Sequence, residues 1–109
     1  MTERSDLTDL RDRMRAFTAE RGWERFHDPK SLVLALTGEV GELAEVFQWV
    51  PASQAVALAA EDPMATAARD ELADVLLYLV RLADVLDVDL YEAAVAKMAK
   101  NAIKHPPGR

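Results

Sequence analysis

The sequence predicts an all-α protein, a bundle of four main helices that associates with further copies of itself. Three observations carry this reading. Ala, Leu, Glu, Val and Asp dominate the 109 residues while there are only 4 Gly and 5 Pro, a composition that favours helix over sheet. No stretch alternates polar and apolar residues over a useful length, whereas apolar residues recur at spacings of three and four. Helix start and stop residues then divide the chain into four long segments.

Ser5 is the expected cap of a first helix from about Asp6 to Arg21, with Leu7, Leu10, Met14 and Phe17 as its apolar stripe. Gly22 follows the last turn and ends it, because glycine tolerates the left-handed conformation that satisfies the final carbonyls. The segment WERFHDPK, Trp23 to Lys30, reads as a loop with three rings, His27 included. Within it Asp28 and Pro29 supply a cap and a first-turn proline for a second helix from Ser31 to Trp49. Pro51 closes that helix. Residues 51–62 form an alanine-rich connector with a short helix from about Ser53.

Asp62 and Pro63 repeat the cap and proline pattern and open a third helix that runs to about Leu86. Between Leu72 and Leu82 this helix is apolar around nearly its whole circumference. Such a helix is buried on all sides, and a chain this short has too little protein to surround it. Self-association resolves the conflict. Asp89 caps a fourth helix through Lys104, and HPPGR is expected as an exposed tail.

Length and charge narrow the function classes. A chain of 109 residues suits one domain, residues 1–109, with a single core. A formal net charge of −6 argues against nucleic acid as a partner, since such binding neutralises phosphates with a basic surface. An acidic protein that handles phosphates needs a divalent metal. There are no cysteines, which excludes disulfides, thiolate zinc sites and a cysteine nucleophile. The absence of a signal-peptide core or membrane-length apolar run in the sequence gives the expectation of a cytoplasmic protein that does not engage a membrane.

The second helix carries a carboxylate where its pattern calls for Leu or Ala. At about 100° per residue, Glu39 falls within about 60° of Leu32, Leu36, Leu43 and Val46. Glu42 sits at the edge of the same face, and Glu45 lies a turn further on and rotated outward. A carboxylate withdrawn from water is neutralised, paired or bound to metal. The third helix repeats the spacing with Glu71 and Asp74, and Glu71 shares a face with Val75, Tyr78, Leu82 and Val85. If the two helices pack side by side, Glu39, Glu42, Glu71 and Asp74 converge. Four carboxylates together repel unless a hard divalent cation binds them, and Mg²⁺ suits a few carboxylates plus substrate phosphates. Di-iron bundles use Glu-x-x-His on two helices, and neither histidine, His27 or His105, lies on the carboxylate helices.

These residues resemble a known family. GEVGELAEVFQW at 38–49 and DELADVLLYLVRLADVLDVDL at 70–90 resemble the MazG-like all-α nucleoside triphosphate pyrophosphohydrolases, and within them the dCTP pyrophosphatase branch. The similarity runs from about Leu7 to Pro106. It implies Mg²⁺-dependent hydrolysis of a (deoxy)nucleoside triphosphate between the α and β phosphates, to monophosphate and pyrophosphate, as nucleotide-pool house-cleaning. It implies Glu39, Glu42, Glu71 and Asp74 as metal ligands, and Glu42 or Glu45 as the base. Trp23 and Trp49 match positions where this branch places rings around the base. Tyr78 is within a turn of Asp74 and suits a contact to phosphate or sugar. Lys97, Asn101 and Lys104 match phosphate or nucleotide contacts. The resemblance also implies a homodimer or homotetramer with sites near subunit interfaces. Met14 departs from relatives that have a polar ring near the base, and His105 stands where a tyrosine often precedes the proline, so the preferred base stays open. The competing reading is a non-catalytic helical dimerisation module with a structural divalent-metal site.

Overall fold

A computed structural model describes residues 5–108, so Arg109 of the expected tail, and residues 1–4 of the expected single domain, lie outside the described residues. Five α-helices follow one another: α1 (Asp6–Glu20), α2 (Pro29–Phe47), α3 (Ala55–Ala59), α4 (Met64–Val85) and α5 (Leu90–Lys104). The four main helices expected are α1, α2, α4 and α5. The connector forms a 3-10 turn at Ala52–Gln54 leading into α3. No helix among the described residues is long and apolar enough to cross a membrane.

Local chemistry fixes each boundary. Ser5 Oγ accepts the Thr8 N–H at 3.1 Å and starts α1. The helix ends one residue earlier than expected: Arg21 is its cap, and Gly22 has φ of 63°. There the Trp23 N–H donates to Thr18 O and the Gly22 N–H to Ala19 O, both at 3.1 Å, the paired bonds of a Schellman ending. Asp28 accepts from the Ser31 N–H at 3.0 Å and the Ser31 hydroxyl at 2.6 Å, with Pro29 in the first turn of α2. Trp49 falls just beyond that helix. Asp62 lies one residue before the Pro63 cap of α4 rather than at the cap itself, yet Oδ1 takes the Thr66 N–H and hydroxyl at 2.9 and 2.6 Å. Asp89 caps α5 through the Glu92 N–H at 3.0 Å.

The turn from α4 to α5 repeats the Schellman pattern without glycine. The Val88 N–H donates to Ala83 O at 2.8 Å and the Asp87 N–H to Asp84 O at 3.0 Å, with Asp87 at φ of 55°. Aspartate is among the few residues that accept this conformation at modest cost.

Helix α4 is the spine. It packs most extensively on α2, then on α1, and α3 leans on it as well. Leu32, Ala68, Val80 and Ala83 are the buried hydrophobics among the described residues. α1 is also tied to α4 by charge: Arg15 Nε and Nη2 donate to the two oxygens of Asp84 at 2.8 and 2.6 Å. Helix α5 makes only slight contact with the others, and beyond Leu90 all its residues are exposed. The apolar circumference of α4 is likewise incompletely covered within one chain, since Leu72, Leu76 and Leu79 remain exposed.

Candidate metal centre and adjoining cavity

The packing of α2 on α4 brings together Glu39, Glu42 and Glu71. Each offers a carboxylate oxygen, and the three oxygens lie within 4.8 Å of one another. Glu39 and Glu71 are half-buried, while Glu42 is exposed. One oxygen on each of the half-buried pair, Oε2 in both cases, is buried without a hydrogen-bond partner. The apolar positions that flank them on both helices withdraw these atoms from water, and no N–H or O–H of the described residues replaces it.

The electrostatics follow from that placement. Burial pushes the Glu71 carboxyl up to about 7, reinforced by the neighbouring Glu39 carboxyl and the charge of Glu42. Burial also raises Glu39, with the Glu42 charge next in size and that of Asp74 contributing. Two unpartnered buried oxygens in an all-oxygen donor set fit a hard divalent cation. A cation would replace the missing donors and relieve the repulsion.

Asp74 stands apart from the three-oxygen cluster. It lines a cavity of about 250 Å³ together with Trp23, Tyr78, Met14, Phe17 and His27, among others. Its charge still acts on Glu39, so the cavity and the carboxylate cluster are neighbours. Trp23 is held edge-on to Phe17, with ring centroids 5.7 Å apart and planes at 67°. The Arg21 guanidinium caps this pair, 3.5 Å from the Phe17 centroid and 5.9 Å from that of Trp23.

Other expected residues are not brought to the site within one chain. Glu45 is exposed and outside the cluster, and Trp49 is 87% exposed. Lys97, Asn101 and Lys104 are exposed on α5 and do not line the cavity.

His27 enters the cavity wall where its sequence position suggested only a loop ring. Arg81, buried in α4, donates from Nε to His27 Nδ1 at 3.0 Å and from Nη1 to Asp84 at 3.2 Å. A guanidinium is always a donor, so Nδ1 bears the lone pair and neutral His27 carries its proton on Nε2. Burial, with Arg81 second, lowers the His27 pKa and keeps it neutral. Nothing in the spacing of residues 54 apart announces this contact.

The chain is similar to known proteins over most of its length. Residues 27–108 match the family model of the MazG nucleotide pyrophosphohydrolase domain. Over 100 residues the chain is 47% identical to dCTP pyrophosphatase 1 of Bos taurus and 46% identical to that of Homo sapiens. Each match covers 92% of this chain and 59% of the relative, so the chain spans about three fifths of the length of these curated relatives. The crystal structure of a pyrophosphatase from Archaeoglobus fulgidus superposes with a TM-score of 0.87 at 34% identity, covering 97% of both chains.

Proposed function

The chain belongs to the MazG nucleotide pyrophosphohydrolase domain family, and from that premise we propose that it hydrolyses (deoxy)nucleoside triphosphates, dCTP among them, to monophosphate and pyrophosphate. The observation that carries this reading is the pair of orphaned buried oxygens on Glu39 and Glu71 beside a ring-lined cavity. A cation site adjoining a flat aromatic pocket suits a molecule with a polyphosphate at one end and a base at the other.

Glu39, Glu42, Glu71 and Asp74 would hold Mg²⁺, the cation that combines few carboxylates with substrate phosphates. When bound, it supplies charge neutralisation to the phosphate oxygens and lowers the pKa of an attacking water. The chain's own groups do the rest. Glu42, the exposed member of the cluster, is favoured over Glu45 as the acceptor of the water's proton. Trp23 offers a ring face to the base, and Tyr78 a hydroxyl on the same wall as Asp74. The cavity's Met14, Phe17 and Leu77 exclude water from the base side. Trp49, Lys97, Asn101 and Lys104 would join the site in a homodimer or homotetramer.

The reading is tested by incubating the protein with Mg²⁺ and a panel of triphosphates, and identifying the products. Pyrophosphate plus monophosphate is expected, and Glu39→Gln abolishes its release while leaving the metal-free fold intact. Orthophosphate plus diphosphate, or an active Glu39→Gln variant, would sink the assignment.

A further inference from the structure

Two walls of the cavity beside the carboxylates are helices, and the third is the loop between α1 and α2. Met14 and Phe17 come from α1, Leu77 and Tyr78 from α4, and Trp23 and His27 from the loop. A loop has the fewest restraints of its own, so what fastens it sets the width of the cavity. The 3-10 turn Glu24–Phe26 makes Trp23 and His27 one unit: the Phe26 N–H donates to Trp23 O at 2.9 Å and the His27 N–H to Glu24 O at 3.0 Å. This unit is tied to α1 at its start by the Trp23 N–H, which donates to Thr18 O at 3.1 Å. At its end it is tied to α4, where Arg81 Nε donates to His27 Nδ1 at 3.0 Å.

Arg81 is itself held. Its side chain is 11% exposed and Nη1 donates to Asp84 at 3.2 Å, while Arg15 of α1 donates to both oxygens of the same carboxylate. One relay of bonds, Arg15–Asp84–Arg81–His27, thus joins all three walls. Stability alone does not call for it, since well-packed apolar side chains commonly serve a fold as well as buried charges do. What the relay adds is fixed geometry. The guanidinium is a planar fork of donors, so the place of His27 follows from that of Asp84. Resting on the reading of this cavity as the nucleoside site, we propose that Arg81 is a positioning residue for triphosphate binding, holding the loop that carries Trp23 and His27 at the distance from α4 that a nucleoside requires. Arg81 does not line the cavity and acts through His27.

The test compares Arg81→Lys with the unaltered protein in steady-state turnover of a panel of triphosphates with Mg²⁺. Lysine keeps a positive charge opposite Asp84 but has no Nε–H to hold His27. KM for the best substrate is expected to rise about five- to tenfold, the net worth of one hydrogen bond. Its kcat stays within about twofold, as for an interaction that serves ground and transition states alike. His27→Leu, which removes the acceptor instead, gives the same rise, and the double variant is no worse than either because both break one bond. Nitrogen NMR of the imidazole rings supplies a readout independent of turnover: His27 of the unaltered protein is neutral with its proton on Nε2, and Arg81→Lys abolishes that preference. Should Arg81→Lys not fold, His27→Asn takes its place, its oxygen accepting from Arg81 so that KM rises less than in His27→Leu. Unchanged KM in the single variants overturns the inference alone. So do a loss confined to kcat, additive losses in the double variant, equal losses in His27→Asn and His27→Leu, or a His27 ring protonated on Nδ1 in the unaltered protein. No turnover of any triphosphate by the unaltered protein overturns the functional reading and this inference with it.

Discussion

Glu71 shows at a single residue how the site is built. Its carboxyl titrates near 7 instead of 4.5, chiefly through burial, so in the metal-free protein it is protonated over a range where an exposed glutamate is ionised. A carboxyl with a raised folded pKa adds stability that is complete below its ordinary pKa and is lost as pH rises through about 7. The difference in melting temperature between metal-free Glu71→Gln and the unaltered protein should therefore grow in favour of the variant from pH 5 to pH 8. Thermal denaturation in chelator at several pH values measures it, and a difference independent of pH refutes the placement. Because ligands bind metal deprotonated, Mg²⁺ affinity should rise over the same interval with release of a proton. The carboxylates at 39 and 71 were legible in the sequence because each interrupts an apolar helical face. His27 was not, because the His27–Arg81 bond depends on how a loop settles against α4.

At the level of elements, helix boundaries were read well where a side chain caps within its own neighbourhood, as at Ser5, Asp28 and Asp89, and to within one residue where Gly22 ends α1 through its backbone. Pro63 was the exception, since the helix begins after it and Asp62 reaches in from outside. Asp87 was missed because its left-handed backbone is imposed by the junction of α4 and α5. The tie between α1 and α4 was also invisible to periodicity, being made by charges 69 residues apart. Asp84, whose side chain is 9% exposed, is shared by Arg15 and Arg81. Hydrogen bonding to Arg15 is the main cause that holds its carboxyl below the usual range. Asp84→Asn leaves Arg81 buried without a counter-charge and should cost about 2–3 kcal/mol, read from the urea midpoint at neutral pH. The stability at stake is present above the ordinary aspartate pKa and disappears as pH falls through the depressed one. A variant as stable as the original would show that this pair does not hold α1 on α4.

For the whole molecule, one chain has more surface than its size warrants. A compact monomer of 12.1 kDa exposes about 6,000 Å² and has a radius of gyration near 13 Å, against 8514 Å² and 16.8 Å here. The excess, about 2,500 Å² per chain, is of the order that obligate assemblies bury. Its apolar part has helical phase: Leu72, Leu76 and Leu79 on α4, and Tyr91, Val95 and Met98 on α5, recur at spacings of four and three and remain exposed. A stripe at that spacing is a helix-packing face, and among the described residues α5 makes only slight contact with the other helices. The apolar circumference of α4 in the sequence already required more protein than the chain contains. The unaltered protein should therefore have a solution mass at least twice 12.1 kDa by light scattering at micromolar concentration. Placing charge in the α5 face, as Val95→Asp with Met98→Asp, should reduce it to a single chain and lower helicity, since an isolated helix of this length is marginal in water. A monomeric unaltered protein, or an assembly indifferent to both substitutions, would mean that α5 is not the face through which copies meet. If the expected dissociation also abolishes triphosphate turnover while the metal-free carboxylate titration persists, then the residues on α5 act in assembly with a partner and not within their own chain.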